Sequence, residues 1–87
     1  MKLIFVDESW EDYLYWQQTD KKTLLKINEL IKEIAREPFS GKGNPEPLKY
    51  KYSGFWSRRI NGEHRLIYIV RDEEVHIAKC RFHYDQN

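Results

Sequence analysis

Three side chains in the sequence have the types that metal-free cleavage of an RNA phosphodiester requires. Glu46 lies between two prolines, Arg65 begins an apolar run, and His83 is among the last five residues. A carboxylate can take the proton of a 2′-hydroxyl, an arginine can neutralise phosphate charge, and a histidine can protonate the leaving oxygen. Together the three types indicate general acid–base catalysis in which RNA supplies its own nucleophile.

Each of the three also has an ordinary structural interpretation. Glu46 could be a solvated loop carboxylate, and His83 could belong to a frayed terminus. Arg65 could form a surface ion pair with Glu63, of the kind that contributes only about 0–1 kcal/mol. Because a proline restricts its own φ and the residue before it, Glu46 is expected on stiff backbone, which favours a positioned base.

Composition predicts one small folded domain over residues 1–87. The chain is 40% hydrophobic and 15% aromatic, as is typical of a globular protein, and we expect Trp56 in its core. Cys80 is the single cysteine, so it forms neither an internal disulfide nor a cysteine-based metal site, and the chemistry leaves its thiol unused. His64 and His76 are expected to be ordinary polar residues of the sheet. We expect no metal and no cofactor.

The net charge of +1 hides an uneven distribution along the chain. Residues 1–37 contain six Lys or Arg against eight Asp or Glu, whereas residues 38–87 contain nine against six. This pattern favours a local basic patch that is too weak to hold RNA tightly without a further partner. With neither an apolar targeting segment nor a membrane-spanning run, the chain is expected in the cytoplasm, without a membrane partner.

The first half of the chain predicts one strand and two helices. Residues 2–6 are apolar and β-branched enough for a strand. Residues 9–12 have the spacing of a capping box, so a first helix is expected over residues 9–18. Asp20 can cap a second helix, which Pro38 ends. In that helix, apolar residues recur at steps of three and four, namely Leu24, Ile27, Leu30, Ile31 and Ile34.

The second half predicts a long loop followed by three strands. Residues 38–54 contain all three prolines and three of the four glycines, so this segment is expected to be irregular. The expected strands and turns are 55–60, a turn at Asn61-Gly62, 64–70, a turn at Asp72-Glu73, and 75–82. We therefore predict an α+β fold: a strand, two helices, then an antiparallel β-meander, with both helices packed on one sheet face.

The register of the meander is left open by the sequence. A two-residue turn would place Arg58 opposite Arg65, whereas a three-residue loop would place Arg59 opposite Arg65. Either register brings like charges together, which destabilises a sheet, so a bound anion is one reason to keep them there.

Several strings of the sequence resemble those of one toxin family. They are Glu-Ser-Trp-Glu-Asp-Tyr-Leu-Tyr-Trp from residue 8, Lys-Gly-Asn-Pro-Glu-Pro-Leu-Lys from 42, Gly-Phe-Trp-Ser-Arg-Arg-Ile from 54, Glu-His-Arg-Leu from 63 and Cys-Arg-Phe-His-Tyr from 80. Over nearly its whole length the chain resembles the YoeB branch of the RelE/ParE superfamily, bacterial type II toxins that cleave mRNA in the ribosomal A site. The resemblance implies a RelE-like, microbial-ribonuclease-like sheet, no metal and a homodimer.

The resemblance also implies partners and residue roles. It implies a YefM-type antitoxin whose tail covers the active site, the 70S ribosome with its mRNA, and promoter DNA only in complex with the antitoxin. Glu46 matches the family's general base, Arg65 its phosphate-stabilising arginine and His83 its general acid. Three further positions match residues that contact RNA, namely Lys49 and Arg59 on the backbone and Tyr84 at the substrate base. Residues 85–87 extend beyond the family pattern.

A second class of function is also compatible with the resemblance. The chain could be a non-catalytic binding module, either a ParE-like gyrase poison or a DNA-binding corepressor formed with the antitoxin. Because members that do not cut RNA usually lack the base and the acid, the presence of both Glu46 and His83 favours the ribonuclease.

Overall fold

The computed structural model describes residues 1–84, and the extension at residues 85–87 lies outside this part. The predicted α+β fold is confirmed: two helices pack with a five-stranded sheet. In chain order the elements are β1 (Lys2–Phe5), α1 (Asp7–Thr19), α2 (Lys21–Arg36), β2 (Glu46–Pro47), a 3₁₀ turn (Tyr50–Tyr52), β3 (Trp56–Arg59), β4 (Arg65–Arg71) and β5 (Glu74–Lys79).

The sheet is mixed, with the strand order β1-β5-β4-β3-β2. Strands β3, β4 and β5 form the predicted antiparallel meander. The first strand pairs in parallel with β5, from Lys2 opposite Glu74 to Phe5 opposite Ile77. A parallel pair needs a crossover connection, which here consists of both helices and the rest of the meander. The two-residue strand β2 forms the other edge.

The first helix begins earlier than predicted, because Ser9 is not its cap. Helix α1 begins at Asp7 with Val6 as the N-cap residue, and Ser9 lies fully buried within the first turn. The Ser9 Oγ accepts the N–H of Val6 at 3.0 Å and donates to the carbonyl of Ile77. Ser9 therefore connects the start of α1 to β5, and the predicted capping box over residues 9–12 was wrong.

The second helix forms as predicted. The Asp20 carboxylate accepts the N–H of Thr23 at 3.1 Å, and the helix ends at Arg36, just before Pro38. The apolar face points into the core, with Ile27, Leu30 and Ile34 fully buried and Leu24 and Ile31 partly buried. No helix in the described part of the chain is long and apolar enough to cross a membrane.

The main core lies between the two helices and one face of the sheet. Trp16 from α1 packs there with Leu66 and Tyr68 of β4 and with Ile77 of β5. Trp56 is partly buried against the same cluster, as its predicted core role requires. Both helices cover this face of the sheet, as predicted. The strand residues that point away from the core lie on the opposite face.

Candidate active site

The pairing of β2, β3 and β4 places three predicted site residues on one face of the sheet. Arg59 lies opposite Arg65, which is the register of the three-residue loop. Ser57, two residues before Arg59, lies opposite Glu46. Directly paired residues share a face, and so do residues two apart in a strand. Leu66, which follows Arg65 in β4, points into the core on the helix side. Because neighbours in a strand point to opposite faces, Glu46, Arg59 and Arg65 lie on the face away from the helices.

Glu46 lies in an edge strand and not in the irregular loop that was predicted. Glu46 and Pro47 pair with Ser57 and Trp56 at the end of the sheet, and an edge strand tolerates a proline because it needs fewer ladder bonds. The Glu46 side chain is exposed, and no hydrogen bond or ion pair involves it among residues 1–84. Its carboxylate is thus held by stiff backbone and is open to an incoming hydroxyl.

Arg58 anchors the loop that leads into β2. The side chain is fully buried, with Nε donating to the Tyr68 hydroxyl at 3.0 Å. Its Nη1 donates to the Lys42 carbonyl at 2.8 Å, and Nη2 donates to the carbonyls of Ser40, at 2.9 Å, and Glu37. Burial raises the pKa of Tyr68, so that this partner stays neutral. A buried cation needs such partners, and here carbonyl dipoles supply them.

Gly43 lies where this loop passes close to both α2 and β3. Its φ is +86°, a conformation that favours glycine. A Cβ atom at this position would lie 2.9 Å from Leu30 Cδ2 and 3.0 Å from Arg58 Cβ. The Gly43 carbonyl also accepts the N–H of Arg59 at 2.7 Å. The close approach of this loop to the sheet therefore requires glycine.

The Arg65 guanidinium is held by backbone carbonyls. Its Nη1 donates to the carbonyls of Asn61 at 2.7 Å and His64 at 3.0 Å. Glu63, the alternative ion-pair partner, has its carboxylate 3.6 Å from Nε2 of His64 instead. No carboxylate of residues 1–84 pairs with Arg65, so its charge can be shared with a phosphate.

The segment that precedes His83 is bonded to the start of β4. The N–H of Phe82 donates to Nδ1 of His64 at 2.7 Å, and the Phe82 carbonyl accepts the N–H of Arg65 at 3.1 Å. Phe82 has a φ of +67°, which costs a residue other than glycine roughly 1–3 kcal/mol. These contacts bring the backbone of His83 beside that of Arg65, and they argue against a frayed terminus.

His83 and Tyr84 form a stacked pair at the end of the described chain. Their ring centroids are 4.9 Å apart with an interplanar angle of 16°, and the His83 ring is exposed. The edge of Tyr84 contacts Tyr52, with centroids 6.2 Å apart. Tyr52 ends the short turn that follows the exposed Lys49. Tyr84 therefore contacts the loop segment that carries Lys49.

Lys79 joins this face because of an irregularity in β5. Counting alternate residues from the buried Ile77 would place Lys79 on the helix side. The register of β4 and β5 shifts between Ile67 and Tyr68, so Tyr68 pairs with Ile77 while Ile67 pairs with Lys79. Since Ile67 also lies opposite Ser57, Lys79 shares the face of Glu46. Bulges of this kind re-aim side chains, and no sequence signal marked this one.

Tyr52 and Lys79 are thus two residues of this face that sequence reasoning missed. A hydrogen bond from Lys79 to Tyr52 raises the pKa of the lysine, whose ammonium lies 5.8 Å from the Tyr52 ring centroid. Lys79 also lies 3.7 Å from the Glu8 carboxylate. It therefore adds a fixed positive charge beside the aromatic pair formed by Tyr52 and Tyr84.

Cys80 does not contribute a nucleophile. Burial, with a smaller contribution from the charge of Asp12, raises the pKa of the Cys80 thiol to about 12. Burial also raises the pKa of Asp12, whose carboxylate accepts the Cys80 N–H at 3.0 Å. The thiol therefore stays protonated near neutral pH and unreactive. Residues 1–84 contain no cluster of three His, Cys, Asp or Glu side chains able to hold a metal ion.

Comparison with known proteins decides the family. Residues 5–84 match the model of the YoeB-like toxins of bacterial type II toxin-antitoxin systems. The chain belongs to this family. The Toxin YoeB of Escherichia coli (strain K12) is 66% identical over 84 residues, which cover 97% of this chain and 100% of that protein. The chain is accordingly the toxin of a type II toxin-antitoxin system, and the resemblance noted in its sequence is confirmed.

Solved structures of YoeB toxins share the fold. A YoeB/ParE toxin from Agrobacterium tumefaciens superposes with a TM-score of 0.95 at 49% identity, covering 97% of this chain and 100% of that one. The Staphylococcus aureus toxin is also 49% identical and covers 97% of this chain and 98% of its own. It has been solved as a heterotetrameric YoeB-YefM complex (TM-score 0.89) and as a YoeB dimer (TM-score 0.90).

Proposed function

We propose that this toxin is an endoribonuclease that cleaves mRNA in the ribosomal A site without a metal ion. The observation that carries the proposal is the arrangement of one sheet face. By the strand register, Glu46 and Arg65 share that face, on strands that flank β3. The bond between Arg65 and Phe82 brings the segment of His83 to the same place. A base, a cation and an acid are the minimum for RNA transesterification.

Each of the three side chains has one role in the proposed reaction. Glu46 takes the proton of the 2′-hydroxyl, and the 2′-oxygen attacks phosphorus. Arg65 binds two phosphate oxygens as negative charge accumulates on them. The bond from phosphorus to the 5′-oxygen breaks while His83 donates a proton to that oxygen. The products are a 2′,3′-cyclic phosphate and a 5′-hydroxyl.

Other residues of the face are proposed to hold the RNA. Lys49 and Arg59 would contact its backbone, with Lys79 as an additional cation. The Tyr84 ring would stack on a base, an interaction worth roughly 1–3 kcal/mol. With a net charge of only +1, the toxin is expected to bind free RNA weakly, because phosphate contacts dominate such affinity. Positioning of the substrate by the ribosome would supply the rest, which places the activity in the cytoplasm.

The partners follow from the same proposal. We infer that a YefM-type antitoxin binds this chain and covers the site face, because the similar Staphylococcus aureus toxin forms a YoeB-YefM complex. A homodimer is proposed because that toxin also forms a YoeB dimer. Promoter DNA would be bound only by the complex of toxin and antitoxin.

The test is cleavage of end-labelled mRNA in EDTA, with and without programmed ribosomes. The proposal predicts cleavage that requires ribosomes, survives EDTA and is lost in His83→Gln. A folded wild-type protein that leaves mRNA intact on programmed ribosomes would overturn it. In that case the non-catalytic function would be tested next, with gyrase and promoter DNA as the two targets.

A further inference from the structure

His64 lies beneath the segment that carries His83, and one of its ring nitrogens can act there only as a hydrogen-bond acceptor. Its Nδ1 is the acceptor for the backbone N–H of Phe82 at 2.7 Å. The side chain is 11% exposed, and its ring makes an edge contact with the Trp16 indole at a centroid distance of 4.8 Å. The ring is thus fixed by packing on one side and by the Phe82 bond on the other.

This geometry indicates which nitrogen carries the proton of the neutral ring. A nitrogen that accepts a backbone N–H must carry a lone pair, so the single proton of a neutral His64 resides on Nε2. The Glu63 carboxylate, 3.6 Å from Nε2, favours the same tautomer. A second proton would have to go on Nδ1, where it would face the Phe82 N–H and break that bond. A proton on Nδ1 and the bond from the Phe82 N–H to Nδ1 are therefore mutually exclusive.

The groups around the ring come from three elements. From its own loop and strand, Glu63 faces Nε2 and the Arg65 guanidinium bonds the His64 carbonyl. From α1 the neighbour is the Trp16 ring, and from the C-terminal segment it is the Phe82 ring, with centroids 6.0 Å apart. Because Trp16 and Phe82 present aromatic rings to His64, the polar group that Nδ1 contacts is the Phe82 N–H.

We propose that His64 is the positioning residue for the acid, acting through its unprotonated Nδ1. Phe82 donates its N–H to His64 and accepts the N–H of Arg65 at its carbonyl, so both peptide groups that flank Phe82, the residue before His83, are bonded to consecutive residues. Phe82 is also in the left-handed region, where it stays only while its surroundings hold it. This inference rests on the proposed function, since it assigns His64 the task of holding His83 where the leaving oxygen will be.

Two substitutions separate positioning from simple packing. In His64→Asn, the Oδ1 atom can take the place of Nδ1 and accept the Phe82 N–H at any pH. In His64→Phe, the ring that packs on Trp16 is kept but the acceptor is lost. His76→Asn is the matched control, because His76 lies on β5 with its Nε2 3.0 Å from Glu74 and, in the described chain, makes no hydrogen bond, ion pair or ring contact with residues 80–84.

The assay is single-turnover mRNA cleavage on saturating programmed ribosomes. We expect His64→Phe to lower the rate by about 10- to 100-fold, because the acid is misplaced, while the urea midpoint and antitoxin binding stay near those of the wild type. His64→Asn should keep most of the rate near neutral pH. His76→Asn should match the wild type in every measurement.

The outcomes distinguish this inference from the proposed function. If the wild type cleaves and His64→Phe cleaves equally fast, or if His64→Asn loses as much of the rate as His64→Phe, His64 does not position the acid. If the folded wild type never cleaves, the proposed function fails.

The bond from the Phe82 N–H to His64 is tested independently by long-range ¹⁵N NMR. It must show a lone pair on Nδ1 and a proton on Nε2 at neutral pH, and the opposite tautomer would overturn the inference. If His64→Phe does not fold, the cleavage rate of His64→Asn and the ¹⁵N NMR spectrum of the wild type test the inference instead.

Discussion

The two ends of the candidate site are attached to the fold in different ways. The Glu46 end is fixed from within the core, through the buried Arg58 and the close approach of Gly43. The His83 end is fixed from the surface, through two backbone bonds at Phe82. The base should therefore be lost only with the fold, whereas the acid can be displaced while the fold stays intact.

Replacement of Arg58 should have the largest effect and would test the first half of this comparison. Arg58→Met leaves the carbonyls of residues 37, 40 and 42 without their donor, so we expect the free energy of unfolding to fall by about 3 kcal/mol or more. Urea denaturation measures this. The neighbouring exposed Arg59 provides the control, since Arg59→Met should change stability by roughly 0.5 kcal/mol or less. Equal effects would show that the core does not anchor the loop.

Arg65 lies between the two ends, and its loss should affect the reaction far more than the fold. Arg65→Ala is expected to lower the single-turnover cleavage rate roughly 10²- to 10³-fold, by analogy with the loss of an oxyanion-stabilising donor. Stability should change little, because the bonds that it loses go to partly solvated carbonyls. Arg71→Ala, at the far end of the same strand, is the control and should retain full activity. An active Arg65→Ala would remove this residue from the mechanism.

Gly43 offers a smaller test of the Glu46 end. Gly43→Ala forces a side chain into the left-handed region and against Leu30 and Arg58, so a loss of about 1–3 kcal/mol in stability is expected. Gly62→Ala is the comparison, because a Cβ there meets nothing within 4 Å. Thermal denaturation of the two variants should differ clearly, and similar midpoints would contradict the close approach of this loop.

Acid should slightly weaken the Glu46 end of the site, because it breaks the ion pair that joins Glu29 of α2 to Lys42 of the loop before β2. Lys42 donates to Glu29 at 2.9 Å, and this bond holds the pKa of Glu29 below its usual value of 4.5. A lowered carboxyl pKa means that the stabilisation is present at neutral pH and is lost as pH falls below about 4.5. Glu29→Gln should therefore flatten the dependence of the urea midpoint on pH in that range. The effect is the smallest of the four, since both side chains are exposed to solvent.

Local patterns predicted the elements well. The periodicity of α2, its Asp20 cap and the Asp72-Glu73 turn all depend on residues close in sequence, and the structure confirms them. Ser9 was misread because its real partner, Ile77, lies in the last strand. Strand β2 was missed because two residues, of which one is a proline, carry no alternation that marks a strand.

The sequence indicated the residue types of the candidate site but not the contacts that position them. Arg58 and Arg59 are adjacent arginines, and only the strand register shows that one is buried and the other exposed. Lys79 reached the site face through a register shift that breaks the two-residue period. His64 became informative only when Phe82 was found on its Nδ1. All three depend on contacts between residues distant in the chain.

In the proposed mechanism, Glu46 acts as base and His83 as acid on one phosphodiester. The most direct test compares two mRNAs on programmed ribosomes, one with the natural 5′-oxygen and one with a 5′-bridging sulfur at the cut. A thiolate leaves without protonation, so sulfur should restore most of the rate to His83→Gln but not to Glu46→Gln. Rescue of both variants, or of neither, would contradict the assignment of base and acid.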